Sequence, residues 1–220
     1  RSTLFPYTTL FRSLADRESM LIADGLIKTE EEADAINHNF GSNLSVGDIK
    51  YIDQPNGEGV KNNIIDYNDE LFYGYPTVPE IVYGLSTDLK YKRWNLSFLF
   101  QGQERVSLII RSFVTPFGIE RNNIPQFMAD NHFSVEKQNF DAEFPRLSAN
   151  PSDYNNAWST FYYRDASFLK LKYVELGYTV NKFFIYASAN NALTLSRFKL
   201  WDPERGGYGV NSAKDRKSVV

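Results

Sequence analysis

The stretch Ile81-Val-Tyr-Gly-Leu85-Ser-Thr-Asp-Leu-Lys90-Tyr-Lys-Arg-Trp-Asn95-Leu-Ser-Phe-Leu-Phe100-Gln101 holds two alternations joined by a turn. Tyr83, Leu85, Leu89 and Tyr91 keep one phase, with Ser86, Asp88 and Lys90 between them. After Lys92-Arg93, Trp94, Leu96, Phe98 and Phe100 alternate with Asn95, Ser97 and Gln101. Successive side chains of a strand point to opposite faces, so this pattern predicts an antiparallel hairpin with one apolar and one polar face. Each arm has roughly ten residues, close to the length at which a tilted strand crosses a bilayer.

A second pair follows downstream. In Phe168-Leu-Lys-Leu-Lys-Tyr-Val-Glu-Leu-Gly-Tyr-Thr-Val180, Val174, Leu176 and Tyr178 share a face opposite Glu175, Gly177 and Thr179. Leu169 and Leu171 fall in the other phase, which predicts a bulge near Lys172-Tyr173. Asn181-Lys182 reads as a turn, and Phe183 to Asn191 as the returning strand.

Between these pairs lie loop-like stretches. Gly41 to Tyr75 is rich in Gly, Asn and Asp, and Arg111 to Asn156 contains Pro116, Pro125, Pro145 and Pro151. The one helical signal is Thr29-Glu-Glu-Glu-Ala-Asp-Ala-Ile36, where Thr29 and Glu32 have capping-box spacing and acidic residues suit the helix dipole. Ala23-Asp-Gly-Leu26 before it reads as a turn. Short turns at one end and long loops at the other are the layout of outer-membrane barrels. A soluble surface β-sandwich, such as a carbohydrate-binding module, would show a similar apolar face. Pattern alone leaves both open.

The two ends read differently from the rest. Thr3 to Ser13 (Thr-Leu-Phe-Pro-Tyr-Thr-Thr-Leu-Phe-Arg-Ser) resembles a translated short-read sequencing adapter, and Asp215-Arg-Lys-Ser-Val-Val220 resembles the opposite-strand adapter. Residues 1–13 and 215–220 are accordingly expected to be adapter-derived and are set aside, as tags and scars are. Leu4, Phe5, Tyr7, Leu10 and Phe11 then support neither a strand nor a signal peptide. Without Arg1, Arg12, Arg216, Lys217 and Asp215, 20 basic and 26 acidic residues remain, a net charge of −6 rather than −3.

That balance excludes several classes. A nucleic-acid partner needs a concentrated basic stripe, and Lys90-Tyr-Lys-Arg93 and Lys170-Leu-Lys172 are too short for one. The chain has no cysteine, so neither a disulfide framework nor a thiolate metal site is available. No apolar run reaches the roughly 18 residues of a transmembrane helix. Ten of the 17 Phe and 14 Tyr lie in the two alternating segments, where they suit β-structure and aromatic girdles.

Four segments in order resemble the C-terminal part of the SusC/RagA-type TonB-linked outer-membrane transporters. Ala23-Asp-Gly-Leu-Ile-Lys-Thr-Glu-Glu-Glu-Ala-Asp34 is similar to the family's DG-x-F-x-S-x-E-E. Val46-Gly-Asp-Ile-Lys-Tyr-Ile-Asp53 is similar to PGD-I-K-Y-x-D, and is followed by Asn56-Gly-Glu-Gly59 and Asp66-Tyr-Asn-Asp69. Val78-Pro-Glu-Ile-Val-Tyr-Gly-Leu85 leads to Trp94-Asn-Leu-Ser-Phe-Leu-Phe-Gln-Gly102. Asp165 to Tyr178 leads to Ala189-Asn-Asn-Ala-Leu193 and Asp202-Pro-Glu204.

The resemblance implies an all-β fold, antiparallel strands from a roughly 22-stranded transmembrane β-barrel with a plugged lumen and long extracellular loops. It makes residues 14–214 a C-terminal partial barrel domain, a fragment lacking the plug and the final strand. It implies a Gram-negative outer-membrane location and energy from TonB through the missing plug. A SusD-like surface lipoprotein would be the partner and oligosaccharides or peptides the cargo, with no cofactor. On this reading Asn95, Ser97, Gln101 and Glu175 face a wet lumen, while Tyr83, Tyr91, Trp94 and Tyr178 sit at the membrane interfaces.

Chemistry beyond transport has weak support. Calcium would need oxygen ligands at set loop positions. Asp53, Asn56 and Glu58 supply some of them, but Asp53 is displaced by one residue and Lys61 intrudes, so a solvated turn is favoured. His38 and His132 lack a partner at any recognisable spacing. Glu30 to Glu32 read as a solvated helix face, and no carboxylate pair has the arrangement of a glycosidase. No enzyme activity is expected. Trp158, Phe161, Tyr162 and Tyr163 are candidates for stacking on cargo, with packing of the loop the favoured role.

Overall fold

The alternation over 81–101 becomes the centre of a six-stranded antiparallel sheet in the computed structural model. The structure describes residues 2–4, 7–8, 17–55, 59–110, 125–148 and 152–205. Among these, the strands begin with β1 Ser2–Leu4, β2 Tyr7–Thr8, β3 Ser19–Met20 and β4 Ala23–Leu26. Helix α1 Glu30–Ala35, β5 Ile49–Tyr51 and β6 Leu71–Phe72 come next. Then follow β7 Ile81–Tyr91, β8 Trp94–Glu104, β9 Ser107–Ile109 and α2 Gln126–Asn131. The last strands are β10 Tyr163–Asp165, β11 Phe168–Val180 and β12 Phe183–Ser196.

The large sheet runs β7, β8, β11, β12, with β1 and β2 on the outer edge of β7. Tight turns join β7 to β8 and β11 to β12, and each starts with a left-handed residue: Lys92 at φ 55° and Asn181 at φ 53°. Register fixes the faces. Tyr91, Trp94, Tyr178 and Ile185 form one row, and Leu89, Leu96, Leu176 and Ala187 the next. Thr87, Phe98, Val174 and Ala189 follow, then Leu85, Phe100, Leu171 and Leu193. The expected bulge is present as a register shift between Leu171 and Tyr173. It returns Leu169 and Leu171 to the apolar face. Strand β12 matches it with an extra residue between Asn190 and Leu193, where Asn191 takes φ 52°.

This apolar face runs from Tyr83 to Tyr91, roughly 27 Å along the strand. Many of its side chains are exposed, among them Leu85, Leu89, Leu176 and Leu193. The other described sheets have two strands each, so a sandwich lacks a comparable second sheet.

Three expectations are corrected. The segment set aside at the start does form strands: Leu4 pairs with Leu85, and Tyr7 with Val82. The outer edge of β7 presents unpaired N–H and C=O groups, and an extended neighbour satisfies them whatever its origin. Ala23–Leu26 is a strand interrupted by an irregularity rather than a turn; Gly25, at φ 81°, lets the backbone depart locally from the ladder. The loop-like stretches are more than loops.

The described residues of Glu18–Tyr73 and Ile109–Tyr163 make a compact unit of their own. Its core buries Leu21, Ile27, Ile49, Met128, Phe133, Phe144, Tyr154 and Tyr162. Burial of each such side chain stabilises by about 1.5–3 kcal/mol. Backbone bonds link distant segments: Leu21 N donates to Trp158 O at 2.8 Å, and Thr160 N to Leu21 O at 2.9 Å. Helix α1 is capped as expected, Thr29 Oγ1 accepting from Glu32 N at 3.2 Å. Helix α2 lay in a stretch that read as loop.

Candidate functional site

The polar face of the large sheet is built by the same register. Asp88, Ser97, Glu175 and Ser188 lie in one row, and Lys90, Asn95, Gly177 and Tyr186 in the next. Asn95, Ser97, Gln101 and Glu175 therefore share one side, as expected. Gly177 makes room for Phe184, since an added Cβ would stand 2.2 Å from that ring. Phe184 in turn stacks on Tyr186 at 5.7 Å. Tyr173 Oη donates to Glu175 at 2.5 Å. A surface of hydroxyls, amides and aromatic rims can bind a polar polymer along its length without gripping it at one point.

The chain after β12 folds back onto this face. Lys170, fully buried, donates from Nζ to Asp202 Oδ1 at 2.6 Å and to Glu204 Oε2 at 2.8 Å. Lys172 Nζ reaches Glu204 Oε1 at 2.6 Å. A buried ammonium without a counter-charge is strongly destabilising, so the two carboxylates are what permits Lys170 here. Burial pushes the Glu204 carboxyl up, but hydrogen bonds from Lys170 and Lys172 outweigh it and bring it below the usual value. The short basic cluster of β11 and the Asp202-Pro-Glu204 segment are thus two halves of one ion network.

The compact unit has its own polar centre at Asp48, whose side chain is fully buried. Arg146 donates from Nε to Oδ1 at 2.6 Å and from Nη2 to Oδ2 at 3.1 Å. Asn155 Nδ2 donates to Oδ1 at 2.6 Å, and Ser45 N to Oδ2 at 2.9 Å. Asn155 also accepts from Ile49 N at 3.0 Å. The preceding Gly47, at φ 88°, carries the Phe133 ring where a Cβ would stand, 2.1 Å from the nearest ring atom. The Val46 to Asp53 stretch is therefore a folding hub. Its Asp and Gly were visible in the sequence, but their distant partners were not.

The residues singled out for chemistry fall in separate places. Tyr162 is fully buried, its hydroxyl donating to Asn155 O. Trp158, Phe161 and Tyr163 are half-buried, and Tyr163 meets Tyr73 edge-on at 5.3 Å. Asp53 accepts from Asn63 N at 3.0 Å, whereas Asn56 and Glu58 lie outside the described residues. Among the described residues, no group of three or more His, Asp or Glu is placed to hold a metal ion. His38 accepts from Phe40 N at 3.2 Å and packs on Tyr154 at 5.0 Å. Burial holds its imidazole below the ordinary histidine value. His132 bonds to Ala129 O through Nδ1 at 2.7 Å. Glu32 accepts from Lys28 N and pairs with Lys50, bracing α1.

No family model matches the chain. It is 30% identical over 200 residues to TonB-dependent receptor P26 of Formosa agariphila, an alignment covering 85% of this chain and 19% of that protein. Its fold matches the structure of the RagAB peptide transporter with a TM-score of 0.59 at 22% identity. That match covers 87% of this chain and 20% of the other. The RagAB peptide importer in its open-open state matches with a TM-score of 0.57 at 21% identity, over the same shares. The chain spans about a fifth of the length of each of these proteins.

Proposed function

Because this chain belongs to the TonB-dependent receptors of the SusC/RagA type, we propose that its parent protein imports oligosaccharides or peptides across a Gram-negative outer membrane. TonB energises the passage, a SusD-like surface lipoprotein is the partner, and no chemistry is performed on the cargo. One observation carries the reading: four long strands in register divide into an apolar face and a polar face. In lipid, strands must close into a barrel to satisfy their backbone groups. A face of Leu, Phe and Val then meets the acyl chains, and a face of Ser, Asn, Gln and Glu lines the passage. The RagAB relatives, described as peptide transporters, favour peptides as the first cargo to try.

The test uses the full-length parent protein. It should fractionate with the outer membrane and support uptake of a labelled peptide or oligosaccharide pool. Uptake should vanish in a strain lacking TonB and fall without the neighbouring surface lipoprotein. Recovery in the soluble fraction, or uptake indifferent to TonB, would sink the proposal.

A further inference from the structure

Tight turns close one end of the large sheet, while long connections leave β8 and enter β11 at the other. Outer-membrane barrels keep short turns in the periplasm and long loops outside. The second end therefore belongs to the outer leaflet. There Tyr83, Gly102, Leu169 and Leu195 form one row on the apolar face. The Tyr83 ring lies across Gly102, where an added Cβ would stand 2.4 Å from it. The row floors an open cleft of about 570 Å³, with Glu104, Arg105, Asp165 and Arg197 at its rim. On the membrane side, the row Leu85, Phe100, Leu171 and Leu193 continues the apolar surface.

The rim charges differ in what already holds them. Arg105 is engaged by Glu80 at 2.8 Å and lies over the Tyr75 ring at 5.4 Å. Glu104 accepts from Tyr83 Oη at 3.3 Å, and Asp165 from Ser167 N at 2.9 Å. Each carboxylate keeps an oxygen with capacity to accept. Arg197 is exposed, with no ion pair or hydrogen bond among the described residues.

We propose that this cleft seats the amino-sugar headgroup of an outer-leaflet glycolipid of the lipid A class, held through a single phosphate. Arg197 takes the phosphate. The electron-rich face of Tyr83 lies against the C–H groups of the pyranose ring. Glu104 and Asp165 accept from sugar hydroxyl and amide N–H groups, and the acyl chains run down Leu171 and Leu193. From the membrane outward this wall is aliphatic, then aromatic, then charged. Acyl chain, sugar and phosphate follow the same order in such a lipid. A glycerophospholipid occupies the other leaflet and brings no ring to Tyr83. Two carboxylates beside one unengaged arginine disfavour a second phosphate, so the singly phosphorylated form is preferred. The inference rests on the outer-membrane reading above.

The experiment is native mass spectrometry of the full-length receptor in detergent, with monophosphoryl lipid A, diphosphoryl lipid A or phosphatidylethanolamine added in turn. Wild type should retain the monophosphoryl form most strongly and phosphatidylethanolamine least. Arg197→Ala should lower lipid A retention about tenfold, with partial rescue in Arg197→Lys. Tyr83→Leu should lower it about threefold, whereas Tyr83→Phe, which keeps the ring, should hold it near wild type. Heat-modifiable migration of each variant checks that the barrel is intact. Equal retention of phosphatidylethanolamine, stronger retention of the diphosphoryl form, or retention unchanged in Arg197→Ala overturns the assignment. A receptor recovered in the outer membrane that holds no lipid A overturns this inference alone. One absent from the membrane overturns the function reading beneath it.

Discussion

Arg146 grips Asp48 through two hydrogen bonds across 98 residues of sequence, and the carboxylate it holds has no access to solvent. Removing the guanidinium leaves a buried charge with only neutral donors. Arg146→Ala should therefore destabilise the fold by about 3–5 kcal/mol, and Asp48→Asn, which removes the charge itself, by less. Thermal unfolding of the full-length protein, or limited proteolysis at Arg17 to Tyr73, reads the difference. Equal effects of the two variants would show that charge burial is not the cause.

Gly47→Ala asks for two accommodations at once, a left-handed backbone and displacement of the Phe133 ring. A loss of about 1–3 kcal/mol is expected. Phe133→Leu should recover only the steric share in the double variant. Full recovery in a double-mutant cycle would mean that backbone conformation contributes nothing.

The Glu32–Lys50 pair gives a small pH dependence with a definite sign. A hydrogen bond from Lys28 N, then the one from Lys50, holds the Glu32 carboxyl below its ordinary 4.5. Its contribution is complete above that value and disappears as pH falls through the lowered one. Lys50, raised from 10.5 by its bond to Glu32, loses its contribution as pH rises through the raised value. Both side chains are partly solvated, so the pair is worth about 0.5 kcal/mol or less. Wild type and Glu32→Gln should differ slightly at neutral pH and converge in acid; a gap that widened in acid would reverse the sign.

Lys170 should resist amine acylation while Asp202 and Glu204 cover it. In the Asp202→Asn, Glu204→Gln double variant it should react several-fold faster, as read by peptide mass mapping with exposed Lys90 as reference. Equal reactivity in wild type would show that the segment after β12 does not stay seated.

The two faces of the sheet should tolerate charge unequally. Leu89→Arg on the apolar face should impair membrane assembly of the full-length receptor, by about 2–4 kcal/mol near the bilayer midplane. Ser97→Arg on the polar face should assemble and alter uptake instead. Equal assembly of both variants would leave the apolar face without a lipid contact.

The strands were legible because a period of two is written locally. Tyr83 to Tyr91 and Trp94 to Phe100 declare their faces one residue at a time, and the phase break at Leu171 announced the bulge. The compact unit was not legible, because its order comes from partners far apart. Asp48 needs Arg146 and Asn155, and Leu21 needs Trp158 and Thr160; no short window contains either set. Proline and asparagine in Arg111 to Asn156 argued for loop, yet Met128, Phe133 and Phe144 lie in a core. Ala23–Leu26 read as a turn because Gly25 supplies turn chemistry within what is a strand. The Lys170 network hid because a lysine pair on a strand looks like solvated surface until Asp202 and Glu204 arrive.

The extra residue near Lys172 also governs how this strand can change over time. Without it, Phe168 to Leu171 would carry its leucines into the wet side and its lysine into the greasy one. The strand therefore obeys a parity rule: substitutions can accumulate one by one, whereas a single insertion or deletion between Leu171 and Val174 transposes the two sides. Strand β12 satisfies the same rule with its own surplus residue at Asn191, so the length variation open to this pair of strands is coupled and comes in steps of two.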